Sequence, residues 1–292
     1  MRIIKHEQQF NNEKSSTGYS KMELRGYLHD DEYTRPAVII CPGGGYMTLT
    51  PHESDQTAME FFGKGYDAFV CDYPLKKEAV YPIPQLAASY SIGYIRKHAN
   101  EWNINKNNIA IGGFSAGAHV AACAGTLYDD EYIKKTLGDI NDIRPDALIL
   151  IYPCIGVDIP GYKDKDGNDA VLRCDKLVNA DTPPAFIVTS FGDTFVSCNQ
   201  SLNMARAMSD NDVPFELHCF EIGDHGALNA DNMGYNEFTT RRVGNENWFQ
   251  LCLDWLRDRF NENVGYGCNL STEGRIKDDY FKLELVCYPG ED

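Results

Sequence analysis

The chain has 292 residues, 43% of them hydrophobic, enough to fill one large core, and its formal charge of −16 leaves no basic face for a phosphate backbone, which excludes nucleic acid as a partner. Residues 1–10 lack the continuous apolar core of a secretory signal and no run approaches the length that crosses a bilayer, so a cytoplasmic protein without a membrane partner is expected. Ten cysteines are scattered, several inside apolar runs such as Val38-Ile39-Ile40-Cys41, and no Cys-x-x-Cys pair occurs; they read as buried thiols, and no metal is expected.

Residues 22–28 predict an antiparallel edge strand, and residues 37–41 a buried one that runs into Pro42-Gly43-Gly44-Gly45-Tyr46. Apolar residues recurring at three and four positions predict helices over 55–63, 84–100, 116–126, 198–209 and 245–260. Between them, residues 66–73, 109–114, 147–152, 185–189 and 215–220 read as strands. Such alternation implies an α/β fold with a mostly parallel central sheet and helices on both faces, because parallel neighbours need crossover connections. Residues 155–184 are rich in Asp, Lys, Gly and Pro and too long for a plain connector; they read equally as a cover for a pocket or as a solvated excursion. Residues 1–260 form the expected single domain, and 261–292 an extension of unknown role whose stretch 280–287 alternates like a lone strand.

Gly113-Phe114-Ser115-Ala116-Gly117 places a serine where a strand turns into a helix, the pattern of a nucleophile elbow. A chain of this length matches the bare pattern by chance about one time in ten, so the strand-then-helix context carries the reading. A serine hydroxyl needs a base within reach and an acid to hold that base. His225, in Gly223-Asp224-His225-Gly226 after the last strand, suits the base in the order Ser, acid, His. His119 reads as a structural hydrogen-bonder, His218 as a packed strand residue, and His6, His29, His52 and His98 as surface groups. Asp193 follows the strand ending near 189 and precedes His225; Asp224 adjoins the base in sequence and Asp181 precedes the strand, which disfavours both. Gly44 and Gly45, with the N–H of Ala116, are the candidate oxyanion donors. No Gly-Lys-Ser/Thr ending follows the glycines, which disfavours a phosphate loop.

From about 35 to 256 these motifs, together with Gly65-Tyr66-Asp67-Ala68-Phe69-Val70-Cys71-Asp72-Tyr73 and Tyr94-Ile95-Arg96, resemble the α/β-hydrolase superfamily, in its bacterial acetyl-esterase and carbohydrate-esterase branch. The resemblance implies Ser115, Asp193 and His225 as the triad and no cofactor. Pro42 stands where lipase-like relatives carry His, a form similar to acetyl-xylan and feruloyl esterases; Ala87 and Ala118 stand where Asp and Gly are common. It implies a carboxylic ester hydrolase acting on a small-molecule or oligosaccharide ester, acetylated xylan fragments foremost, with Tyr46, Met47, Thr194 and Phe195 as substrate-binding candidates. Feruloyl esters, a peptidase resembling prolyl oligopeptidases, and a binding protein on the same scaffold are the alternatives, and a homo-oligomer is left open.

Overall fold

Side chains along each central strand sort alternately into two apolar layers, one on either face of a sheet. On β3 (Arg35–Cys41), Ala37, Ile39 and Cys41 enter one layer while Val38 and Ile40 enter the other, following the two-residue period of extended backbone. The computed structural model of the chain describes residues 1–13, 15–138, 142–226 and 247–260.

The main sheet also contains β1 (Arg2–Asn11), β2 (Tyr19–Leu28), β4 (Asp67–Asp72), β5 (Ile104–Phe114), β6 (Ala147–Ile151), β9 (Ala185–Ser190) and β10 (Phe215–Phe220), in the order β1-β2-β4-β3-β5-β6-β9-β10. From β4 to β10 all neighbours are parallel, while β1 with β2 and β2 with β4 are antiparallel. Helices α1 (Asp55–Gly63) and α6 (Trp248–Phe260) cover one face. Helices α2 (Ile83–Trp102), α3 (Ala116–Thr126), α4 (Glu131–Leu137) and α5 (Asn199–Asp210) pack in the layer on the other. On α6 the buried Trp248, Cys252, Trp255 and Leu256 recur at three and four positions, as a helix facing a core requires. The expected α/β architecture is therefore present.

Three expectations need correction. The antiparallel strand at 22–28 is longer and interior, because β1 pairs along its outer side in full register from Arg2↔Leu28 to Asn11↔Tyr19. Strand β5 starts at Ile104, ahead of the apolar run, since its first half carries Asn105, Lys106, Asn107 and Asn108, exposed or half-buried, beside the bulge between Arg35 and Ala37. Segment 155–184 is more than a solvated excursion: it holds the small antiparallel pair β7 (Gly156–Val157) and β8 (Leu172–Arg173), and buries Ile155, Ile159, Leu172 and Cys174 in the α3 layer. The proposed strand at 280–287 and the start of the helix at 245 lie outside the described residues. Among the described residues, no helix is long and apolar enough to cross a membrane.

Candidate active site

Six parallel strands deliver their carboxyl ends to one rim, where ligands collect in open α/β sheets. At the end of β5, Ser115 has φ 52° and ψ −118°, a left-handed conformation costly for any side chain other than glycine's. Its N–H donates to the Ile151 carbonyl at 3.0 Å, and its own carbonyl accepts from His119 N–H at 3.2 Å and Cys154 N–H at 3.1 Å. The flanking glycines are required by crowding. A Cβ on Gly117 would sit 2.0 Å from the Cys41 carbonyl oxygen and 2.4 Å from that of Pro42, and one on Gly113 would sit 2.5 Å from the same Cys41 oxygen. The end of β3 thus presses directly on the elbow.

The Ser115 hydroxyl lies 2.9 Å from His225 Nε2, and His225 Nδ1 lies 2.8 Å from Asp193 Oδ2. Asp193 is buried, and its Oδ1 accepts the N–H groups of Phe195 at 2.9 Å and Val196 at 2.8 Å, so the carboxylate is fixed by its own turn. Asp224 instead caps the neighbouring loop, accepting from Thr194 Oγ1 at 2.9 Å and from His225 N–H at 2.8 Å. Donation from the His225 N–H, more than any other contact, holds the Asp224 carboxyl below the usual range. The His225 ring lies between Tyr152, 4.9 Å away edge-on, and Phe195, 5.8 Å away.

Gly44 and Gly45, the candidate oxyanion donors, turn the loop after β3 with φ 126° and 63°. Among the described residues, the N–H groups of Gly44, Gly45 and Ala116 have no acceptor. A Cβ on Gly44 would meet the Thr48 carbonyl at 2.2 Å, whereas one on Gly45 would enter open space.

Met47, Thr194 and Phe195 are exposed. The Tyr46 side chain turns inward and is buried, and its hydroxyl meets His119 Nδ1 at 2.7 Å, so the ring buttresses the loop from below. Burial pushes the Tyr46 phenol up, which keeps it protonated and able to donate. His119 completes the buttress by donating from Nε2 to the Leu172 carbonyl at 3.1 Å. His119, Cys123 and Cys174 bring three potential metal-ligand atoms within 4.8 Å of one another, a juxtaposition that the sequence did not suggest. Both ring nitrogens of His119 already have partners, and the cluster serves as packed core. His6, His29, His52 and His98 are half-buried, and His6 and His29 meet Tyr90 and Asp67 at 2.9 and 3.0 Å, so they are not free surface groups.

Cys154, Glu53 and Tyr152, also at this rim, had no distinguishing pattern in the sequence. Cys154 places its sulfur 4.0 Å from the Ser115 hydroxyl, and burial pushes its thiol up. Glu53 is buried, accepting Gly43 N–H at 2.8 Å and the Tyr152 hydroxyl at 2.5 Å.

Residues 27–156 match the BD-FAE family and residues 154–255 the prolyl oligopeptidase family. The chain is 33% identical over 229 residues to endo-1,4-beta-xylanase B of Butyrivibrio fibrisolvens and 27% identical over 226 residues to an acetylxylan esterase of Xylanibacter ruminicola. Each match takes in 72% of this chain, but the chain spans only 35% and 44% of those relatives' lengths. An acetyl ester-xyloside bifunctional hydrolase from Caldicellulosiruptor lactoaceticus superposes with a TM-score of 0.66 at 29% identity, covering 81% of this chain and 88% of that one. A Lactobacillus plantarum protein given the provisional name carboxylesterase superposes with a TM-score of 0.68 at 30% identity, covering 88% and 98%.

Proposed function

The chain belongs to the α/β-hydrolase superfamily, as an acetyl-xylan esterase-like member, and from that premise we propose that it is a serine esterase releasing acetyl groups from xylan-derived oligosaccharides. The observation that carries the reading is the continuous relay from Ser115 through His225 to Asp193, at 2.9 and 2.8 Å. In it, Ser115 Oγ attacks the ester carbonyl while His225 Nε2 takes its proton, and Asp193 holds Nδ1–H and stabilises the imidazolium that forms. The negative charge arising on the carbonyl oxygen meets the N–H groups of Gly44, Gly45 and Ala116; loss of one such donor typically costs ~3 kcal/mol of transition-state stabilisation. Collapse of the intermediate returns the proton to the alcohol, which leaves an acetyl-enzyme, and His225 then activates water to release acetate.

The acetyl preference draws on the relatives' names, since two of them carry an acetyl ester and three a xylan or xyloside term. A second reading, peptide hydrolysis with the same residues, draws on the match of residues 154–255 to the prolyl oligopeptidase family. Parallel assays of p-nitrophenyl acetate, acetylated xylo-oligosaccharides, methyl ferulate and a prolyl p-nitroanilide, with the parent and Ser115→Ala, test both. We expect turnover of the acetyl esters by the parent and a loss of about 10⁴-fold or more in the variant. Equal turnover by both proteins removes Ser115 from the mechanism, and a preference for the anilide substitutes the peptidase reading.

A further inference from the structure

We infer that Glu53 is a positioning residue for the oxyanion loop, coupling it through Tyr152 to the wall behind His225. The inference rests on the esterase reading above. A carboxylate is seldom buried without a specific task, because taking it out of water is expensive unless its oxygens are satisfied. Glu53 ends a single 3-10 turn, Pro51–Glu53, and points into the protein. Both of its oxygens accept: Oε2 from the Gly43 N–H at 2.8 Å and Oε1 from the Tyr152 hydroxyl at 2.5 Å.

Gly43 is the peptide immediately ahead of the two candidate oxyanion donors, so the plane of its N–H sets the path of Gly44 and Gly45. Contact is close enough that a Cβ on Gly43 would lie 2.6 Å from Glu53 Oε2 and 3.2 Å from Ser115 Cβ. Within the loop, the Gly43 carbonyl accepts from Thr50 N–H and the Gly44 carbonyl from Met47 N–H, both at 3.0 Å; its ends are held from outside, the Pro42 carbonyl by the Tyr73 hydroxyl at 2.7 Å and the Tyr46 carbonyl by Lys76 N–H at 2.8 Å. Glu53 is the side chain that accepts from the peptide directly ahead of the two candidate donors and links it to the end of β6. Its second partner, Tyr152, follows β6 at φ 34°, is 1% exposed, and sets its ring 4.9 Å from that of His225. Burial, reinforced by the neighbouring Glu53, pushes the Tyr152 phenol up, so it remains a donor across the working pH range. One buried carboxylate therefore fixes both the donors that meet the oxyanion and the surface against which the base rests, and such preorganisation acts on the transition state more than on the bound ester.

The test compares parent, Glu53→Gln and Tyr152→Phe on p-nitrophenyl acetate, with rates expressed per site titrated by a fluorophosphonate so that misfolded protein drops out. Gln keeps one acceptor but cannot accept from both donors, and Phe keeps the ring while removing the hydroxyl. We expect kcat to fall by about 10- to 100-fold in Glu53→Gln and by about 3- to 10-fold in Tyr152→Phe, with KM changed less than about twofold. Affinity for a trifluoromethyl ketone, which forms an oxyanion at Ser115, should fall by a factor comparable to that for kcat. If Glu53→Gln does not fold, Tyr152→Phe carries the same comparison alone. An active parent with kcat per site unchanged in the folded variants, or with the loss confined to KM, overturns the inference while leaving the esterase reading intact. A parent without ester turnover overturns both.

Discussion

The rim of the sheet is held in two different ways. On the nucleophile side, between the ends of β3 and β5, backbone meets backbone: Gly113 and Gly117 abut the Cys41 and Pro42 carbonyls with no room for a methyl group. On the acid–base side, beyond β9 and β10, turns are held by carboxylates that accept N–H groups, while Phe191 and Phe195 stand in solvent at 74% and 82% exposure. The strained serine is thus imposed by packing, which resists displacement, and the imidazole is aimed by hydrogen bonds, which define direction with few contacts. Substitutions at the crowded glycines of the first side should register as lost stability, and those at the carboxylates of the second as lost rate.

The largest effect is expected from Asp193→Asn. An amide can retain the two turn N–H groups through its oxygen, but it then presents NH2 to His225 Nδ1 and favours the wrong tautomer. We expect kcat to fall about 10⁴-fold with the urea midpoint little changed. Gly117→Ala should do the reverse, placing its methyl group 2.0 Å from the Cys41 oxygen. Its cost should reach or exceed the upper end of the ~1–3 kcal/mol typical of overpacking, read as a lower urea midpoint with an unchanged slope. Large rate loss at full stability in Gly117→Ala would break the contrast.

Asp224→Ala sharpens the comparison at smaller scale. Removing the acceptor for Thr194 and for the His225 N–H should lower kcat by about 3- to 10-fold. Its folded pKa lies below the unfolded one, so its contribution to stability is present above the unfolded value near 4 and is lost as pH falls through the folded value. The stability difference between parent and Asp224→Ala should therefore shrink on acidification below about pH 4, as followed by urea titration at several pH values.

How much of this was legible in the sequence follows the same division. The elbow was readable because crowding dictates residue type: only glycine fits beside Cys41, and the spacing around Ser115 records that constraint. The order of strand ends was readable from apolar runs, so Asp193 and His225 could be placed at the same rim as Ser115. Strand β1 was not, because its inward set, Ile4, His6, Gln8 and Phe10, is half polar while apolar Ile3 faces outward, and His6 and Phe10 gain their apolar setting only by lying against Tyr90 and Tyr94. The direction of Tyr46 was not legible, since adjacency to the glycines says nothing of where a side chain points, and it turns toward His119. Glu53 was invisible for a related reason: nothing in Pro51-His52-Glu53 distinguishes a buried carboxylate from a solvated one until the ends of β3 and β6 are brought together in space.

The central claim, that Ser115 is a nucleophile activated by His225, is tested most directly by reacting the protein with diethyl p-nitrophenyl phosphate and mapping the adduct by mass spectrometry. The account predicts a single diethylphosphoryl group on the peptide containing Ser115 in the parent, with labelling slowed by orders of magnitude in His225→Ala. An adduct on another residue, or labelling of Ser115 at the same rate without His225, would contradict it.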